Sequence, residues 1–322
     1  MASPLDRDAV PSGSLMARLN RPRTDRSTRL AVIADPHLST RQEGTSKLFH
    51  DTERHVANAV ADIARRDVDA TVCVGDITKD GERWNFDRFD ELVADLDAPF
   101  YSIPGNHDVP KRGYDHDNLP VSEFADRYAP DGQSFPFHVE VGGVDLLGLN
   151  TAGSEEFLYD SHAGRVTDDQ LAWLDETLPE TETPVVLAHH NLPSMSEQVH
   201  EHRDLAEPDM EIPPEMENPE EFVDLLNAHD APLVFTGHLH LPSAVREGSV
   251  RELMAPTTCS FPQGYLLVDV GPDGTDVRFV PVADFEGMVD GFRERATDSV
   301  TARGLTGMAA VRLAHFPLVD ER

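Results

Sequence analysis

Five short apolar runs in this 322-residue sequence each end, on their C-terminal side, in Asp, Asn or His. "AVIAD" closes at Asp35 with His37 two residues on, and "TVCVGD" closes at Asp76. "YSIPGNHD" delivers Asn106 and His107, "VVLAHH" delivers His189 and His190, and "LVFTGHLH" delivers His238 and His240. Hard carboxylate and amide oxygens mixed with imidazoles, and without thiolates, suit Mn, Fe or Zn rather than a structural Cys site. In an extended segment, residues i and i+2 point the same way, about 6 to 7 Å apart. The pairs in "DPH" and "HLH" therefore reach one ion or two adjacent ions. Two divalent ions beside two aspartates leave a positive centre. Such a centre attracts an anion and acidifies a bound water.

For five strand ends to meet, their strands must run the same way, and open α/β sheets place sites at the carboxyl ends of strands. The pattern allows this. "RLAVIAD", "ATVCVGD", "APFYSIPG", "TPVVLAHHN" and "APLVFTGHLH" read as strands. Residues 47–65 and 83–95 have helical period, as do residues 283–297. "TDDQLAWLDETL" reads as a helix with Thr167 as its N-cap. "FHVEVGGVDLLGLNT" and "GYLLVDVGPDGTDVRFVPV" read as hairpins, so the sheets are mixed and the fold class is α/β. Residues 191–217 show little period and are expected to be a lid or rim loop.

The ordered set "DPH", "GD", "GNHD", "AHH", "GHLH" resembles the calcineurin-like metallophosphoesterase superfamily, over residues 30 to about 281. "GRVTDDQLAWLDETL" is similar to a segment of its cyclic-nucleotide and glycerophosphodiester phosphodiesterase branch. The resemblance implies mixed β-sheets packed as a sandwich flanked by helices, in four layers α/β/β/α. It also implies two divalent metal ions. Asp35, His37 and His240 would hold the first, Asn106, His189 and His238 the second, and Asp76 would bridge them. His107 would face the substrate, steadying phosphoryl oxygens or protonating the leaving group, and His190 would be a neighbour with a lesser claim to substrate contact. The implied activity is phosphodiester hydrolysis by a hydroxide bridging the metals. A phosphomonoesterase or protein or nucleotide phosphatase is the alternative, and an inactive scaffold the alternative of another class. The family often carries an acid three residues after the bridging Asp to orient the motif histidine. Here that position is Lys79, followed by Asp80, so the partner of His107 stays open. Arg112, just after the motif, is placed to meet a phosphate. The other nine histidines, His162 among them, lack partners at ligand spacing and are expected to be surface or structural residues. Of these, His200 and His202 in the lid stretch retain a claim to substrate contact.

Composition narrows the setting. Asp plus Glu number 59 against 27 Lys plus Arg, a formal charge of -32. Only Lys47, Lys79 and Lys111 are lysines; the other 24 basic residues are Arg. Many apolar runs argue against acidic disorder, and an acidic, Lys-poor folded chain suits molar salt, where charges a few ångströms apart are already screened. The charge argues against nucleic-acid partners. The two cysteines make no disulfide framework, and Cys73 reads as a small core residue. No run approaches a membrane span and no signal region is present, so a soluble cytoplasmic enzyme acting on a small phosphoester is expected. The expected organisation is a flexible arm over 1–28, a catalytic domain over 29–281 and a helical extension over 282–322.

Overall fold

The computed structural model describes residues 13–111, 113–153 and 162–322. The chain begins with β1 (Ser14–Leu19), β2 (Thr28–Ile33), α1 (Thr52–Ile63), β3 (Ala70–Cys73), α2 (Arg83–Val93), β4 (Phe100–Ser102) and α3 (Val121–Tyr128). It continues through β5 (Phe137–Val141), β6 (Val144–Gly148), α4 (Asp168–Thr177), β7 (Pro184–Leu187), α5 (Pro193–Ala206), α6 (Pro219–Ala228), β8 (Leu233–Thr236), β9 (Ser243–Glu247) and β10 (Val250–Met254). It closes with β11 (Gly264–Gly271), β12 (Gly274–Pro281), α7 (Phe285–Asp298), α8 (Val300–Ala314) and β13 (Val319–Asp320).

The strands form two mixed sheets, ordered β13-β1-β12-β11-β2-β3-β4 and β5-β6-β7-β8-β10-β9. In the first, β2, β3 and β4 are parallel; in the second, β6, β7, β8 and β10 are parallel. Period-2 alternation decides the layers. Leu30 and Val32 of β2 pack with Val185 and Leu187 of β7 and Leu233 and Phe235 of β8, between the sheets. Ala31 and Ile33 turn outward to Val56, Phe86 and Phe89 of α1 and α2. On the opposite outside, Val186 and Val234 meet Leu174 of α4 and Phe222 of α6. Strands apolar on both faces are thus covered on both sides, giving four layers. Cys73 is one of the buried outward-facing residues.

Several local expectations need correction. The 1–28 stretch is not an arm from residue 14 onward: β1 lies inside the first sheet, antiparallel to β12 and parallel to β13. Its Met16, Ala17 and Leu19 are buried, and that burial outweighs the Arg-rich flank. Residues 1–12 lie outside the described residues. The 191–217 stretch holds α5, anchored by buried Met195 and Val199, and only the part after Ala206 is loop. The helix expected from residue 47 begins at Thr52, after a turn in which Thr45 and Leu48 take positive φ. The C-terminal stretch is helical through α7 and α8, and its end then returns to the sheet as β13.

Leu146 of β6 is fully buried between the sheets. Leu146→Ala should lower the unfolding free energy by about 2–5 kcal/mol, read from the midpoint of denaturant unfolding at unchanged slope.

Candidate metal centre

The parallel strands deliver their side chains to one end of the sandwich. β2 pairs β3 with Ile33 opposite Cys73, so Asp35 and Asp76 leave neighbouring strand ends together. Hydrogen bonds between the loops then hold them. Asp35 N–H donates to Gly75 O at 3.0 Å and His37 N–H to Asp76 O at 2.9 Å. The two sheets are also tied across the site, because Asp35 Oδ1 accepts His238 N–H at 3.0 Å and Val74 O accepts His189 Nδ1–H at 2.8 Å.

The turns are tight. A Cβ on Gly75, whose φ is +99°, would lie 2.6 Å from His189 Nδ1, and one on Gly105 would strike the Asp76 carboxylate. Among the described residues ten non-glycines have positive φ, and Asp35, His37, Asp76, His238 and His240 are five of them. Backbone in that region is costly and tends to gather at functional sites.

Donor atoms of Asp35, His37, Asp76 and His240 all lie within 4.8 Å of one another, and all four residues are buried. His37 Nε2 faces His240 Nε2 at 3.0 Å. Asp76 Oδ2 lies 3.4 Å from His37 Nε2 and 3.4 Å from His189 Nε2, between two groups. In the second group Asn106 Oδ1 lies 3.1 Å from His189 Nε2 and 3.0 Å from His238 Nδ1. Ring tautomers follow from the far nitrogens. His189 gives its Nδ1 proton to Val74 O, and His238 gives its Nε2 proton to Pro214 O at 2.7 Å. Such carbonyls are the usual second partner of a metal-binding histidine, and they leave the His189 lone pair facing Asn106 and Asp76 and the His238 lone pair facing Asn106. Lone pairs and carboxylates packed together out of water call for cations, so the donor set fits two divalent ions. Electrostatics agrees: burial pushes the Asp76 carboxyl up, but His189, His107 and His37 hold it well below the usual carboxylate range. Burial lowers His189, but the Asp76 carboxylate outweighs it and raises the ring to about 9, so positive charge, proton or metal, is favoured at its Nε2.

The open question around His107 has a structural answer. Its Nδ1 lies 2.7 Å from Lys79 O and 3.0 Å from Asp80 Oδ1. Asp80, not the residue at the family's usual position, is the acid that orients it, and the Lys79 side chain turns back to Asp80. His107 N–H donates to Asp76 Oδ1 at 2.7 Å. Asp108 is a clamp. It is buried and accepts N–H groups of Ile77, Thr78 and Gly105, each at 3.0 Å, locking the Gly-Asp turn to the Gly-Asn-His-Asp turn.

Other expectations change. His162 belongs to the site: its Nδ1 accepts from the Asn106 amide nitrogen, which fixes the Asn106 oxygen toward His189 and His238. No motif spacing announces it. His190 makes no approach to substrate, because it is fully buried with Nδ1 on Thr151 Oγ1 at 2.9 Å and Nε2 on His162 O at 2.9 Å. Arg112 falls outside the described residues. His200 pairs with Glu215 at 3.2 Å on the surface, and His202 packs near Gly304, so neither faces the site. Asn191 is no rim residue. Buried, it donates to Thr236 Oγ1 and Glu252 Oε1, both at 2.9 Å, bracing the turns after β7 and β8.

A cavity of about 340 Å³ opens over the centre, with Lys47, His107, His162 and His238 on its inner side. Its outer wall comes from Leu239 and from the C-terminal helices, through Arg295, Ser299, Ala302 and Leu305. Arg295 is buried and donates to His240 O at 2.7 Å, to Leu239 O at 3.2 Å and to Phe261 O. It therefore pins the Gly-His-Leu-His turn from α7.

The calcineurin-like phosphoesterase family profile matches residues 28–242. A probable cyclic nucleotide phosphodiesterase from Synechococcus is 25% identical over 76% of this chain and 89% of its own length. The 3',5'-cyclic adenosine monophosphate phosphodiesterase CpdA of Pseudomonas aeruginosa is 27% identical over 74% of this chain and 79% of its own. A dimetal phosphatase from Danio rerio shares the fold at TM-score 0.63 and 15% identity, covering 81% of this chain and 98% of that one.

Asp108→Ala strands three buried N–H groups. It should destabilise the protein by on the order of 3 kcal/mol and reduce bound metal, read by denaturant unfolding and by metal analysis of the same preparation.

Proposed function

The chain belongs to the calcineurin-like phosphoesterase family, and from that membership and the geometry of its centre we propose a dinuclear phosphodiesterase acting on a small cyclic-nucleotide or glycerophosphodiester substrate. The observation that carries it is Asp76 Oδ2 equidistant from His37 and His189, with Asp35 and His240 beside the first and Asn106 and His238 beside the second. Asp35, His37 and His240 would hold one ion and Asn106, His189 and His238 the other, with Asp76 shared. Mn, Fe and Zn all suit this donor chemistry. Two such ions supply an activated water and charge stabilisation for both oxygens of an in-line displacement.

The chain's own residues do the rest. His107, held through Nδ1 by Asp80 and the Lys79 carbonyl, turns Nε2 toward the cavity, where it lies 3.2 Å from Lys47 Nζ. Burial and the neighbouring Lys47 hold its pKa down, at about 3. Asn106 supplies an oxygen without a charge, so the centre keeps its positive excess. Leu239, Ala302 and Leu305 give the cavity an apolar wall, which suits the second ester arm of a diester better than a bare phosphate. The names of the two bacterial relatives point the same way.

Protein purified in high salt should carry two metals per chain and hydrolyse generic diesters faster than monoesters with Mn²⁺. Asp76→Ala should lose metal and activity together. His107→Ala should keep both metals while kcat falls by about 10²–10⁴. No bound metal and no hydrolysis in the parent would sink the enzyme reading, and a preference for monoesters would sink the diesterase part alone.

The acidic, Lys-poor surface supports a second part of the proposal, a high-salt working environment. Raising KCl from about 0.1 M to about 1 M shortens the screening length from about 10 Å to about 3 Å and should raise the thermal unfolding midpoint. A midpoint that falls with salt would contradict it.

A further inference from the structure

The chain's three lysines, scattered in sequence at 47, 79 and 111, converge on His107. Lys47 Nζ lies 3.2 Å from His107 Nε2. Lys79 supplies the carbonyl on His107 Nδ1 and pairs with Asp80, which shares that nitrogen. Lys111 Nζ lies 2.9 Å from Nδ1 of His162, whose ring sits against His107 with centroids 4.9 Å apart. In a chain whose other 24 basic residues are Arg, all three lysines thus stand in this one neighbourhood. A guanidinium is a planar fork that matches carboxylates and phosphates bidentately, whereas an ammonium is a point charge with three adaptable donors.

His107 itself lacks what phosphate recognition needs. Its Nδ1 proton is committed to Lys79 O, so the neutral ring offers Nε2 as a lone pair. A lone pair cannot donate to a phosphoryl oxygen. The donor standing at that lone pair is Lys47, which also lines the cavity and has further N–H groups to give. Lys47 also lies 3.3 Å from His37 Nδ1.

We propose that Lys47 is a substrate-contacting residue, its ammonium donating to a non-bridging phosphoryl oxygen while His107 Nε2 accepts another of its protons. The proposal rests on the phosphoesterase reading for the identity of the ligand. The sequence hides the residue because the helical period from residue 47 suggests a surface helix, whereas Lys47 sits in the turn before α1.

Inorganic phosphate is the probe, titrated by calorimetry into metal-loaded parent, Lys47→Met and Lys47→Arg, with metal content measured on each. Lys47→Met should keep both metals, bind phosphate about 10- to 100-fold more weakly and raise KM in the same proportion for any ester the parent turns over. Lys47→Arg should bind more tightly than Lys47→Met because it restores charge. Unchanged phosphate affinity in Lys47→Met, loss of metal from it, or equal weakness of the Arg variant would each overturn the proposal. Loss of metal would show that Lys47 acts through His37 instead. Because phosphate binding is read without turnover, a parent that binds phosphate but hydrolyses nothing would refute the proposed function and leave the Lys47 result standing.

Discussion

Burying a carboxylate costs several kcal/mol unless cations or N–H donors answer it, and Asp76 is 1% exposed at the meeting point of both sheets. One oxygen takes the backbone N–H of His107 and the other lies between His37 and His189. The rest of the architecture follows from satisfying that group. The strand before it must be parallel to its neighbours so that Asp35 and Asn106 emerge alongside. The second sheet must face the first with its parallel strands ending at the same side, so that His189 and His238 arrive from across the core. Strained dihedrals at five of these residues are tolerated because a large two-sided core, filled to near-zero exposure, stabilises the frame around them.

A second rank of residues keeps that frame rigid, and it divides by sheet. Asp108 locks the turns after β3 and β4. Glu252 of β10 performs the equivalent service for the other sheet, accepting from Asn191, Leu192 N–H and Thr236 Oγ1 below the turns after β7 and β8. Burial raises Glu252 to about 7 against those donors. Arg295 completes the set from outside the family-matched region, fixing the last turn by three carbonyls, with no carboxylate partner among the described residues. Each cross-link joins segments far apart in sequence, which is why a ligand set drawn from five loops behaves as one body.

That division explains what a single sequence reveals. Strands buried on both faces are written as continuous apolar runs, and the residues ending them are chemically conspicuous, so the two sheets and the expected ligand positions were legible. The supporting residues are legible only as types. Asp108 looks like a turn aspartate, His162 like a stray histidine and Arg295 like a surface arginine on an amphipathic helix, because each acquires its role from a partner on another element. Element edges failed for local reasons. α5 buries little beyond Met195 and Val199, too thin a stripe to show a period. β1 spans only six residues, with a register shift between Leu15 and Ala17 that breaks any alternation, beside a run of arginines that reads as an arm.

The electrostatics of the whole chain set a condition on the site. A molecule of formal charge -32 repels a phosphate anion at long range, and in dilute buffer that repulsion reaches about 10–30 Å from the surface. At molar salt it fades within about 3 Å, while attraction inside a cavity lined by low-dielectric side chains persists, because ions there are poorly screened. The cationic groups need only act at contact distance. Confining the three ammonium groups to the neighbourhood of His107, and leaving arginine to pair with carboxylates elsewhere, as Arg83 and Arg127 do with Glu123, meets that condition. Surface acidity and a locally positive centre are then two compatible solutions, each working at its own length scale.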